Sequence, residues 1–219
     1  MAALYLMEIN EKTDPGIMKE FLPLLSSENR DLISRMRFES DRKLHVYSEV
    51  LLRTFICKAL SIKNQDIQFA ANEFGKPYLF NHPAFHFNIS HTRNAVAEAF
   101  GDSPLGVDIE KINPADIAVA RKAFTEKEIA YVYSGSGDTA VRFGEIWTKK
   151  ESYVKWTGKG LPADLSSIDV SGDPVGSRIH TVRFRQYAVS LCSGAGVRCP
   201  DIIQIDELDL LNRVKDIIC

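Results

Sequence analysis

The sequence predicts an α+β protein made of two halves, each running through helices first and antiparallel strands afterwards. Three observations carry this expectation. A long helical pattern starts near Ser40, with Leu44, Tyr47, Val50, Leu51, Thr54, Phe55 and Ala59 at the spacing of one buried face. Short apolar strands separated by turn residues follow it. The same order then recurs after Leu105, beyond the turn-rich stretch Gly101–Pro104. That stretch divides the chain into an N-terminal half, 1–103, and a C-terminal half, 104–219.

Taken in order, residues 4–9 read as a first strand and residues 28–36 as a helix. The helix from Ser40 ends at Asn64 and Asp66. Strands are expected at 67–70, 84–89 and 95–100, with turns at Gly75-Lys76-Pro77 and at His91-Thr92-Arg93-Asn94. Another strand covers 105–112. In the second half, Thr125-x-x-Glu128 is a capping box that opens a helix, and a further helix runs over 140–157. Strands at 168–170, 179–184 and 187–191 follow, and the tail after Pro200 reads as one strand and a short helix.

Composition narrows the function classes. Of 219 residues 45% are hydrophobic and 26% charged, and the net charge is −2, so neither nucleic acid nor a membrane surface is an expected partner. No apolar run reaches the roughly 20 residues of a membrane span. The first residues have no basic flank or cleavage site, so they read as a strand and not a signal peptide. Cys57, Cys192, Cys199 and Cys219 have neither zinc nor disulfide-framework spacing, which points to a reducing cytoplasm.

Four segments carry candidate chemistry. In Gly106-Val107-Asp108-Ile109-Glu110, a strand places Asp108 and Glu110 on one face while Leu105, Val107 and Ile109 go to the core. Two adjacent carboxylates suit a hard divalent ion such as Mg²⁺, or else a solvated strand edge. In Trp147–Gly160, Glu151 and Lys155 lie at i and i+4. Such a pair is either a surface ion pair worth about 0.3 kcal/mol or part of a cleft beside Trp147. Ser90 and His91 are adjacent in a strand and point apart, which argues against a hydrolase dyad and for a phosphate-binding turn or a plain turn. Lys76 stands at the tip of a Gly-Pro turn.

Together FGKPYL (74–79), FNISHT (87–92), GVDIEKI (106–112), FTEKE (124–128) and WTKKESYVKWTGKGL (147–161) resemble the phosphopantetheinyl transferase superfamily of the Sfp type. They occur in that family's order and at its separations. The resemblance implies two similar α/β halves related by a pseudo-twofold, with the active site in the cleft between them. It implies transfer of the 4'-phosphopantetheine group from coenzyme A to a serine of an apo acyl or peptidyl carrier protein, with release of 3',5'-ADP. Asp108, Glu110 and Glu151 would hold Mg²⁺. Lys76, Pro77, Ser90 and His91 would contact the adenosine and its phosphates, and Lys155 the pyrophosphate. The first half would thus supply nucleotide contacts, and the second half the metal and catalytic residues. Glu151 is the candidate general base, directly or through a water, and Lys155 the stabiliser of leaving-group charge. Where the family often has an Arg for the 3'-phosphate, this chain has Leu44, flanked by Arg42, Lys43 and His45, so Arg42 and Lys43 become the candidates there. A chain that carries both halves is expected to be a monomer. The competing readings are a metal-dependent nuclease or phosphohydrolase, and a non-catalytic module that binds coenzyme A or a carrier.

Overall fold

The computed structural model describes residues 2–10, 15–134, 137–160, 164–172, 175–194 and 202–218. Two of the cysteines, Cys199 and Cys219, fall outside these, and Cys57 and Cys192 are free and buried. The elements in chain order are β1 (Ala3–Glu8), α1 (Pro15–Phe21), α2 (Ser27–Arg35), α3 (Glu39–Leu60), β2 (Phe69–Ala71), β3 (Pro77–Leu79), β4 (His86–Thr92), β5 (Ala95–Gly101) and β6 (Leu105–Lys111). There follow α4 (Ile117–Ala123), α5 (Glu126–Tyr133), α6 (Thr139–Thr157), β7 (Ile179–Phe184), β8 (Tyr187–Ser193), β9 (Ile202–Ile205) and α7 (Glu207–Ile218). The α+β expectation holds.

One sheet has the order β4-β5-β1-β9, antiparallel except for the parallel β1–β9 pair. A second has the order β6-β8-β7, all antiparallel, and β2 with β3 forms a separate small hairpin. Both larger sheets contain the same connectivity: a strand, a long helix, then a hairpin whose second strand pairs with the first strand. In the first this is β1, α3, β4 and β5; in the second it is β6, α6, β7 and β8. By packing, β9 and α7 belong to the first sheet although they lie at the far end of the chain.

Strand parity explains the layering. Leu4, Leu6, Ala95, Ala97 and Ala99 face Val107, Ile109, Val189 and Leu191 across the space between the two sheets. The small alanines on one side admit the larger branched side chains on the other. The opposite face of the first sheet packs Tyr5, Met7, Val96 and Phe100 against α3. The opposite face of the second sheet is covered by α6. The stack is therefore α3, sheet, sheet, α6.

Several local readings change. Helix α3 departs from the predicted stripe: Val46, Leu52 and Ile56 are also enclosed, because α1, α2 and α7 cover its outer side, whereas Ala59 is exposed. Strand β4 continues through His91 and Thr92, so the expected four-residue turn shrinks to Arg93-Asn94. Residues 168–170 are not a strand. They follow a 3-10 turn, and the Val170 N–H donates to the Glu128 carboxylate (2.8 Å) instead of to a neighbouring strand. Pro77, placed in a turn by the sequence, opens β3, and the short helices α1 and α4 carry too little periodic signal to be foreseen. No described helix is long and apolar enough to cross a membrane.

One buried polar group stands out. Glu98, in the middle of β5, is 0% exposed, and neither carboxyl oxygen has a partner in hydrogen-bond geometry. It lies opposite Tyr5 on β1 and Ile89 on β4, with Ser48 and Glu49 of α3 above it. Burial pushes its pKa well above the ordinary value, the neighbouring Glu49 carboxylate adds to this, and the Ser48 hydroxyl opposes it. The folded state therefore keeps a proton that the unfolded chain gives up at about pH 4.3. Its contribution is fully present below that pH and is lost as pH rises toward the folded pKa. Glu98→Gln should accordingly melt higher than the parent protein, with the gap widening as pH rises above about 5 in thermal denaturation; a gap independent of pH would show that Glu98 is charged in the fold.

Candidate active site

The site is built where β4, the edge of the first sheet, meets β6, the edge of the second. Along β4, residues 88, 90 and 92 share one face. The Asn88 Oδ1 accepts from the Val107 N–H (2.8 Å), the Ser90 hydroxyl donates to Asp108 Oδ1 (2.8 Å), and the Thr92 hydroxyl donates to Glu110 Oε2 (3.2 Å). Side chains of one sheet thus bond stepwise to the other. His91 has the opposite parity and turns toward α3, so Ser90 and His91 do point apart as the sequence implied. Its side chain is exposed, and its pKa is lowered by partial desolvation first, then by the Lys155 and His45 charges.

Helix α6 closes the site from above. Gly106 makes this possible: a Cβ there would lie 2.2 Å from the Ser152 carbonyl oxygen and 2.3 Å from the Trp156 nitrogen. With no side chain in the way, the last turns of α6 rest directly on β6. The helix starts on an Asp138 cap and ends at Gly158, which has a left-handed φ of 65°. This brings Lys155 Nζ to 2.7 Å from Asp108 Oδ1 and 2.8 Å from Ser90 Oγ.

The carboxylates sense one another. Asp108 is buried, and Oδ1 accepts from both Ser90 and Lys155, while Oδ2 is buried with no partner. Burial and then the Asp108 charge raise the pKa of Glu110 and of Glu151 alike, and Lys155 opposes both shifts. Glu151 also raises Glu110. The structure therefore brings Asp108, Glu110, Glu151, Lys155 and Ser90 together.

These donors fit a hard cation. All three are carboxylates, one has a buried oxygen with an unused lone pair, and their mutual repulsion is relieved by positive charge. Among the described residues no three His, Cys, Asp or Glu side chains are gathered closely enough to hold a metal ion by themselves. A partial set suits Mg²⁺, which keeps waters and takes oxygens from a phosphorylated substrate.

A cleft of about 290 Å³ adjoins this cluster, lined from the first half by Phe74–Pro77, Asn88 and Ile89, and from the second by Glu151, Val154, Lys155, Gly158 and Gly160. Pro77 is on its wall. Lys76 also lines it, but its Nζ donates to the Leu105 carbonyl (2.9 Å) and the Lys155 carbonyl (2.6 Å). Lys43 is elsewhere: it pairs with Glu39 (3.5 Å) and lines a separate depression with Arg93 and Asn94. Arg42, beside it on α3, has its Nε buried without a hydrogen-bond partner. A larger depression, about 770 Å³, lies between the ends of β1 and β9 and holds none of the candidate residues. Asn88, Thr92 and Gly106 were not singled out by the sequence reading. Their signal was available for the first two, since they share the parity of Ser90.

Three acids, a lysine and donor hydroxyls are gathered at a seam between the sheets. Comparison with known proteins makes the class specific. Residues 104–199 match the family model described as the 4'-phosphopantetheinyl transferase superfamily, and residues 15–100 match that of the 4'-phosphopantetheinyl transferase N-terminal region. The 4'-phosphopantetheinyl transferase psf-1 of Bacillus pumilus is 34% identical over 167 residues, which cover 76% of this chain and 72% of that protein. The transferase ffp of Bacillus subtilis is 35% identical over 73% of this chain and 70% of its own length. The transferase Sfp of Bacillus subtilis strain 168 is 33% identical, with 69% and 68% covered. The chain belongs to the 4'-phosphopantetheinyl transferase superfamily, a family of enzymes.

The close approach at Gly106 is directly testable. Gly106→Ala forces β6 and α6 apart, so it should cost about 2 kcal/mol or more in urea denaturation and reduce activity further than stability alone explains. An unchanged midpoint would mean that the two elements are not in contact.

Proposed function

We propose that this protein transfers the 4'-phosphopantetheine group of coenzyme A to a serine hydroxyl of an apo acyl or peptidyl carrier protein, releasing 3',5'-ADP. The observation that carries the reading is the cluster of Asp108, Glu110, Glu151 and Lys155 beside a cleft that both halves line. In this proposal the two halves are related by a pseudo-twofold, and coenzyme A lies in the cleft between them. The N-terminal half, 1–103, supplies nucleotide contacts from Pro77, Ser90 and His91, with Arg42 and Lys43 toward the 3'-phosphate. The C-terminal half, 104–219, supplies the charged groups of the reaction.

Asp108, Glu110 and Glu151 would hold Mg²⁺, which when bound neutralises pyrophosphate charge. The chain's own residues do the rest. Lys155 Nζ, held by Asp108 and Ser90, places a positive charge beside the leaving phosphate oxygen. The serine oxygen forms a bond to the β-phosphorus as the bond from that phosphorus to the bridging oxygen breaks. The serine proton passes to the Glu151 carboxylate, directly or through a water that it orients. An acidic carrier would dock against positive charge such as the exposed Arg121, Lys122 and Lys127. The absence of a membrane-length helix among the described residues fits work on soluble carriers in the cytoplasm.

Incubation with an apo carrier protein, coenzyme A and Mg²⁺ should give a carrier heavier by one phosphopantetheine group in intact-mass spectrometry. No gain on acyl or peptidyl carriers would sink the reading. Asp108→Asn keeps an acceptor for Ser90 but removes a charge, so turnover should fall at least about a hundredfold while the fold persists by circular dichroism.

A further inference from the structure

The turn that carries Lys76 grips the end of the helix that carries Lys155. The first four N–H groups and last four carbonyls of a helix have no partner within it. At the end of α6, the Gly158 N–H takes the Val154 carbonyl (3.3 Å). The next free acceptors are met from the other half of the chain. Lys76 Nζ donates to the Lys155 carbonyl, and Asn72 Nδ2 donates to the Gly158 carbonyl (2.8 Å). An ammonium group at a helix C-terminus also favours the helix dipole.

The turn is preorganised for this grip. The Asn72 side-chain oxygen accepts from the N–H groups of Phe74 (3.0 Å) and Lys76 (2.9 Å), which leaves its amide nitrogen facing the helix. The Asn72 N–H donates to the Lys76 carbonyl (3.0 Å), and Gly75 takes a left-handed φ of 85° to close the loop. Lys76 also reaches the Leu105 carbonyl at the start of β6. A lysine has three N–H donors, and two are spent on main-chain carbonyls of the second half. Gly158 leaves room for the grip, since a Cβ there would stand 3.3 Å from Lys76 Cδ and 3.6 Å from Asn72 Nδ2.

We propose that Lys76 is a positioning residue: with Asn72 it clasps the C-terminal end of α6 to the first half and so fixes where Lys155 Nζ and Glu151 stand. This rests on the transferase reading for its catalytic consequence, but not for the clasp itself. It replaces the expectation from sequence that Lys76 contacts the substrate phosphates.

The test compares Lys76→Met, Asn72→Ala and the double variant. Hydrogen exchange of the free protein is read at residues 152–158, and kinetics are read with coenzyme A and with dephospho-coenzyme A, which lacks the 3'-phosphate. The clasp predicts that Lys76→Met loses about tenfold or more in exchange protection at the end of α6, with the core strands unchanged. It predicts about a tenfold or greater fall in kcat for both donors, with little change in KM. Asn72→Ala should do the same more weakly, and the double variant should lose less than the product of the two singles. A loss with coenzyme A alone, unchanged exchange, or loosening spread evenly over the molecule would each overturn the proposal. If the parent protein transfers nothing, the transferase reading fails and the exchange data alone decide the clasp.

Discussion

Everything in the site depends on the seam between β4 and β6. Neither edge strand completes a backbone ladder with the other. They are joined by side chains instead, from Asn88 to Val107, from Ser90 to Asp108 and from Thr92 to Glu110. Strand alternation makes this possible, since residues two apart on each strand face the same neighbour. The two acids of β6 are therefore both structural partners of the first sheet and candidate ligands of a cation. On Asp108, Oδ1 takes the Ser90 and Lys155 hydrogen bonds, and Oδ2 is left over.

Polar residues are buried here in linked sets. Lys150 and Glu128, both inaccessible, form an ion pair at 2.8 Å. Glu128 also caps α5 through the Thr125 N–H and holds Val170, while Lys150 donates to the carbonyls of Leu165 and Ile168. The charges are fully hydrogen-bonded, which offsets part of their desolvation. The effect is to tie α5, α6 and the 165–170 segment together directly behind Glu151. Elsewhere, Glu8 receives Arg185, Gln186 and Tyr187 from the β7–β8 hairpin. With the Asn72–Lys76 grip on α6, these polar contacts add to the apolar layer between the sheets and to the β1–β9 pairing in joining the halves.

Much of the fold was legible because it is periodic. The long helices α3 and α6, the strands β1, β5, β6 and β8 and the capping box at Thr125 all announce themselves by spacing or by a cap residue. Helices α1 and α4, of seven residues each, do not, because two turns are too few to show a stripe. The segment at 168–170 misled because an apolar run resembles a strand, whereas its N–H bonds go to a buried carboxylate. The bonding of Lys76 was not legible either, because nothing along the chain shows a turn lysine donating to a helix end 79 residues away.

The three acids show where local pattern stops. Period-two alternation alone put Asp108 and Glu110 on one face, and period 3.6 alone put Glu151 and Lys155 on another. These are properties of a single strand and a single helix, so the chain's local geometry settles them. That the two faces meet was decided only in three dimensions. It needed Gly106 to let α6 lie on β6, and it needed the parity of β4 to deliver Ser90 and Thr92 to the same acids. Contacts between elements far apart in sequence depend on which surfaces pack, and no repeat along the chain encodes that.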